Sequence, residues 1–178
     1  GSTTDSFDLT TFFSVGADQE GTYQFTADAV TTLNGLGLES DGAAITFALS
    51  GDTITGSTAS GDVLTLTLTD AGLLSVELED QIDHADSPDD TETNLGINLG
   101  AIVEVVDEDG DALSAPADDI VLNIGDDIPQ IVGEPATLQV DEDGLADGNT
   151  DTGAAGEANL GGSTTDSFDL TTFFSVGA

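Results

Sequence analysis

The chain carries 36 aspartate and glutamate residues and not one lysine or arginine. No other feature limits its folded state so strongly. No carboxylate can pair with an ammonium or guanidinium group of the same chain, and a net charge of −36 opposes compaction by self-repulsion. A folded form therefore needs bound metal ions, high salt, or charges spread well apart. Hydrophobic residues make up 38% of the chain and its mean hydropathy is +0.02, so apolar material for a core is present.

The same imbalance excludes whole classes of function. Nucleic acid is excluded as a partner, because phosphate recognition needs cationic side chains. Direct contact with an anionic membrane surface is excluded for the same reason, and phosphoryl transfer without a Lys or Arg clamp would be exceptional. With no cysteine, disulfides, thiol chemistry and Cys-ligated zinc are ruled out. No stretch reaches 18 consecutive apolar residues. The opening GSTTDSFDLT has neither the basic nor the apolar region of a signal peptide, and it lacks an initiating Met, so a fragment of a longer protein is expected. Such a surface attracts cations. Hard oxygen donors select Ca²⁺ among the ions common outside cells.

Residues 1–17, GSTTDSFDLTTFFSVGA, recur without change as residues 162–178, an offset of 161. The expectation is one period of a tandem array plus a short overlap. Between the copies the pattern is strand-like. Leu64, Leu66 and Leu68 alternate with Thr65, Thr67 and Thr69, and the alternation recurs at Ile45, Phe47, Leu49, at Leu74, Val76, Leu78, and at Ile120, Leu122, Ile124. A longer run reads Leu95, Ile97, Leu99, Ala101, Val103, Val105. Period-two patterning with Thr and β-branched residues, punctuated by Gly, Asp and Asn, predicts an all-β fold, an antiparallel β-sandwich, and no segment shows a sustained 3.6 period. Leu66, Phe47, Val76, Val103 and Leu122 are expected to point inward. The main sandwich repeat is read over 1–127, a junction over 128–133, and the opening of the next repeat over 134–178. Of the two end copies, one is expected in the sheet, and the other loose or exchanged head-to-tail onto a neighbouring molecule.

Three acidic clusters are candidate cation sites. Asp107, Asp109 and Asp111 fall at the first, third and fifth ligand positions of a calcium loop. Ala112 replaces that loop's Gly and Asp118 its final Glu, so the segment is no EF-hand, and a solvated acidic turn is the plain alternative. Asp126 and Asp127 precede Ile128-Pro129 after an apparent strand, as at the linkers of cadherin-type arrays. Asp141, Glu142 and Asp143 precede Gly144 after the pattern Ala136, Leu138, Val140, where a polar β-turn is equally natural. His84 lies in Asp83-His84-Ala85-Asp86-Ser87, but a short run does not hold a triad beside an oxyanion hole. Outward threonines are ordinary on a sheet.

The segments DEDGLADG, FFSVGADQEGTYQF, QIDHADSPDD, VEVVDEDGDAL and LNIGDDIP, in that spacing around the repeat, resemble successive landmarks of repeats in giant bacterial RTX adhesins secreted by the type I route. The resemblance implies immunoglobulin-like or cadherin-like β-sandwich extender domains, stabilised by Ca²⁺ and linked to neighbouring repeats at the bacterial cell surface. There they hold a distal ligand-binding region away from the cell for adhesion or biofilm formation. It implies metal-ligand roles only for the DEDGD, DD-P and DEDG positions. The glycine-rich nonapeptide repeats of the RTX tail are absent. The expected function is a non-catalytic spacer; the alternative is a repeat that itself binds a glycan, peptide or surface. Outside the duplicated ends only Tyr23, Phe25 and Phe47 are aromatic, a poor supply for a stacking platform.

Overall fold

A computed structural model describes residues 1–16, 21–85, 94–140, 145–146 and 165–175. Contacts divide the chain into two units, Gly1–Asp126 and Asp127–Ala178. The first unit contains β1 (Thr3–Asp8), β2 (Thr22–Phe25), α1 (Ala29–Asn34), β3 (Glu39–Ser40), β4 (Ala43–Ala44), β5 (Thr46–Ser50), β6 (Thr53–Ser57), β7 (Asp62–Leu68), β8 (Leu73–Leu78), β9 (Asn94–Asn98), β10 (Val103–Val106), β11 (Ala112–Ser114) and β12 (Val121–Gly125). Five strands form one sheet in the order β1-β8-β7-β6-β5. The others form a β11-β10-β2 sheet, a β12-β9 pair and the small β3-β4 hairpin. These pairings are antiparallel. Among the described residues one apolar cluster joins the five-stranded sheet to β2, β9, β10 and β12, which gives the expected all-β sandwich.

The alternation in β7 is what builds the core. Leu64, Leu66 and Leu68 are buried, while Thr65 and Thr67 are half-buried on the other face, where the Thr67 hydroxyl lies 3.2 Å from that of Thr53. Leu66 sits opposite Ile54 of β6 and Val76 of β8. Phe47 of β5 faces Gly56 of β6, and a Cβ at that glycine would meet the Phe47 ring at 2.5 Å. The missing side chain is thus the space the ring fills, next to the register shift at Gly56/Ser57. Phe47 and Val103 are buried as expected; Val76 and Leu122 pack against the cluster half-buried.

Three expectations need correction, and one short helix joins the strands. The run Leu95 to Val105 is not one strand. It comprises β9, a 3-10 turn over Gly100–Ile102 and β10, which belong to different sheets. The break is imposed from a distance: the amides of Leu99 and Gly100 both donate to the Ile120 carbonyl, and a Cβ at Gly100 would lie 2.2 Å from the Pro116 carbonyl oxygen. Leu49 is 45% exposed, because β5 is an edge strand and its end faces solvent. A short helix, α1, is present, with Ala29 and Leu33 one turn apart and both buried. Its six residues are too few for a 3.6 period to stand out. Finally, Ala136, Leu138 and Val140 form no strand, and Leu138 and Val140 are exposed; a lone segment without a ladder partner has no reason to hold extended structure.

Gly100→Ala is expected to destabilise the first unit by about 1–3 kcal/mol, since the added methyl strikes backbone rather than a movable side chain. Gly96→Ala should be near neutral, because its nearest neighbours are side-chain atoms at 3.6 and 3.8 Å. Urea midpoints of the two variants check the pair.

With no cationic side chain available, neutral donors hold the carboxylates. Asp83 accepts from the amides of Asp41 and Gly42 at 2.9 and 2.8 Å. Glu104 accepts from the Gln24 amide at 2.7 Å, Glu79 from the Thr65 hydroxyl at 3.0 Å, and Asp118 from the Asn98 amide at 2.9 Å. In the second unit β13 (Gln130–Ile131) pairs with β14 (Phe174–Ser175), and a 3-10 turn covers Leu170–Thr172. Among the described residues no helix is long and apolar enough to cross a membrane.

Candidate metal centre

The register Val106↔Ala112 closes the β10–β11 hairpin with a five-residue loop, Asp107 to Asp111. Gly110, at φ +95°, supplies the left-handed residue that lets so short a loop close. The amide of Asp107 donates to the Asp111 carbonyl at 3.1 Å, and that of Gly110 donates to the Asp107 carbonyl at 3.2 Å. The Asp111 amide donates to Asp107 Oδ1 at 2.8 Å. Side chains at 107, 109 and 111 therefore gather on one side of the loop. One carboxylate oxygen from each lies within 4.8 Å of the others. Asp107 is half-buried; Asp109 and Asp111 are exposed.

Electrostatics carry the mark of that crowding. A hydrogen bond from the Asp109 carboxyl, helped by the Asp111 amide, holds Asp107 below the usual carboxylate range. The same hydrogen bond and the Asp107 charge push Asp109 up. The two carboxylates oppose each other's ionisation, so a proton taken up as pH falls is shared between them. Oxygens bound to one Ca²⁺ at about 2.3–2.6 Å can stand up to roughly 5 Å apart, so this three-aspartate group can hold a metal ion. Its donors are all hard oxygens, and the open loop leaves room for water to complete a coordination shell.

Among the described residues, no other candidate joins this group. Asp126 is half-buried and Asp127 exposed, directly after β12 and on either side of the boundary between the two units. Asp141, Glu142 and Asp143 lie outside the described residues. Asp118, aligned by spacing with the last ligand of a calcium loop, sits in a separate 3-10 turn over Ala117–Asp119 and accepts from Asn98. Of the residues around His84, Asp83 clamps the β3–β4 turn, and Asp86 and Ser87 lie outside the described residues. That clamp joins residues about forty positions apart, and nothing in the local sequence announces it.

No curated protein and no solved structure matches the chain. A family model described as a domain of unknown function, DUF5801, matches residues 1–120, almost the whole first unit with its acidic loop, and the chain belongs to that family.

Proposed function

We propose that this chain is a non-catalytic, Ca²⁺-stabilised extender repeat of a bacterial surface adhesin. It would act outside the cell, with neighbouring repeats of the same array as its partners, to carry a distal binding region away from the surface. The observation that carries the reading is the Asp107-Asp109-Asp111 loop, three hard-oxygen donors gathered within 4.8 Å in a chain without Lys or Arg. The verbatim recurrence at an offset of 161 adds the array, and the antiparallel sandwich adds a unit suited to a spacer. Calcium fits better than Mg²⁺, which demands a tighter octahedron and keeps its waters. A shallow trough on the outer sheet face, lined by Thr4, Ser6, Thr65, Thr67 and Ser75, has no aromatic wall on which a sugar could stack.

Calorimetric titration of the chain with CaCl₂ tests the proposal. Saturable binding with a dissociation constant on the order of 10⁻⁴–10⁻³ M is expected, as for extracellular calcium modules. Asp107→Asn or Asp111→Asn should weaken it by roughly tenfold or more, as losses at a ligand position do. Acidification should weaken it as well. As pH falls to the raised pKa of Asp109, the shared proton occupies the place the ion needs, so binding in that range releases protons. Unsaturable heats identical in the variants would mean a diffuse counterion cloud and would defeat the proposal.

A further inference from the structure

Among the described residues, the cap and 3-10 turn of the two copies are alike, while the segments around them differ. In the first, Asp8 Oδ1 accepts from the Thr10 amide at 3.0 Å and its hydroxyl at 2.6 Å, and the Thr11 hydroxyl donates to the Asp8 carbonyl at 2.7 Å. In the second, Asp169 Oδ1 accepts from the Thr171 amide at 2.9 Å and its hydroxyl at 2.6 Å, and the Thr172 hydroxyl donates to the Asp169 carbonyl at 2.7 Å. The edge-to-face ring pairs agree too: Phe12–Phe13 at 5.1 Å and Phe173–Phe174 at 5.0 Å. Surroundings, by contrast, diverge. Leu9 is fully buried, its amide donates to the Gly72 carbonyl at 2.8 Å, and Phe13 lies against Tyr23. Leu170, its counterpart, is 61% exposed, and Phe174 is exposed as well.

We infer that the slot beside β8, filled here by β1 and the Leu9 turn, also accepts residues 165–175 of a second copy of this chain. The partner is specified by sequence identity: what fits Leu9 and Phe13 fits Leu170 and Phe174, atom for atom. The cap and 3-10 turn are already formed in the donor, so docking has to release the β14–β13 pair and extend residues 165–169 alongside β8, but need not build the turn. The displaced β1 is an edge strand paired only with β8 and exposed along its length, so it can leave without breaking another ladder. In the wild-type chain the incumbent copy wins by its short tether to β2, which keeps its effective concentration high. Weakening the incumbent should hand the slot to the second copy. This exchange involves no residue of the acidic loop, so it stands or falls separately from calcium binding.

The test is a cycle of Leu9→Ala, Leu170→Ala and the double variant, followed by sedimentation equilibrium and urea melting over a concentration series in chelator. Leu170→Ala should match the wild type. Leu9→Ala should associate head-to-tail, with a urea midpoint that climbs as protein concentration rises. The double variant should remain monomeric with a low, concentration-independent midpoint. If Leu9→Ala and the double variant agree in mass and midpoint at every concentration, the slot has one occupant and the inference is wrong. Should Leu9→Ala fail to fold, Leu9→Val runs through the same cycle. A labelled GSTTDSFDLTTFFSVGA peptide is a second readout: it should bind the Leu9→Val chain, and its counterpart with Ala in place of the Leu should not. Equal binding by both peptides would also overturn the inference.

Discussion

Leu66→Ala is expected to lower the unfolding free energy of the first unit by about 2–5 kcal/mol, the range for emptying a fully buried leucine site. Leu66 lies in the central strand of the five-stranded sheet, between Ile54 and Val76, where no backbone segment is free to collapse into the void. Thr67→Ala, one residue on, removes a half-buried hydroxyl pair with Thr53 and should cost under about 1 kcal/mol. Tyr23 gives a clean probe. It is the one tyrosine of a chain without tryptophan, and it is buried in the first unit. Urea melts followed at its emission separate that unit from the second. Similar costs for the two substitutions would mean that the inward and outward faces of β7 are reversed.

The second large effect follows from the proposed calcium site. At a free concentration about 100-fold above the dissociation constant, one site adds about 2.7 kcal/mol to folding, which for a unit of this size amounts to a rise of roughly 10 °C in melting temperature. The reference buffer must hold chelator and NaCl at matched ionic strength, because salt alone screens the −36 charge. Asp109→Asn sharpens the comparison through its sign. In chelator the substitution relieves crowding with Asp107 and should leave stability equal or higher. In calcium it removes a ligand and should erase most of the increment. Equal melting temperatures in calcium and chelator for the wild type would remove the physical basis of the spacer reading.

The parts of the fold that could be read in the sequence are those fixed by near neighbours. Leu64, Leu66 and Leu68 announce β7 because a strand places every second side chain on one face. Asp107, Asp109 and Asp111 announce their loop because alternate positions around a tight turn converge. What escaped depends on distant residues. Nothing in Leu95–Val105 tells that Pro116 will press against Gly100 and split the run between two sheets. Leu49 follows the same alternation as Ile45 and Phe47, and only the strand order makes it an outward edge residue. Phe7 shares the apolar pattern of Leu9 and Phe13 yet is 41% exposed, because β1 contributes its backbone, and the turn after it contributes the buried side chain. The duplicated ends make the same point within one molecule. Identical residues build identical caps, and the neighbours decide which leucine is buried.

The strand order also sets the order in which the molecule can open. β7 is held on both sides, by β6 and β8, and its leucines are sealed; β1 is held on one side only. Losing β1 leaves the four-stranded β8-β7-β6-β5 sheet intact, so its amides can trade hydrogen for deuterium through a local opening, while those of Leu64, Leu66 and Leu68 must wait for the whole unit to unfold. The first unit is thus a loosely closed first strand on a slowly exchanging body.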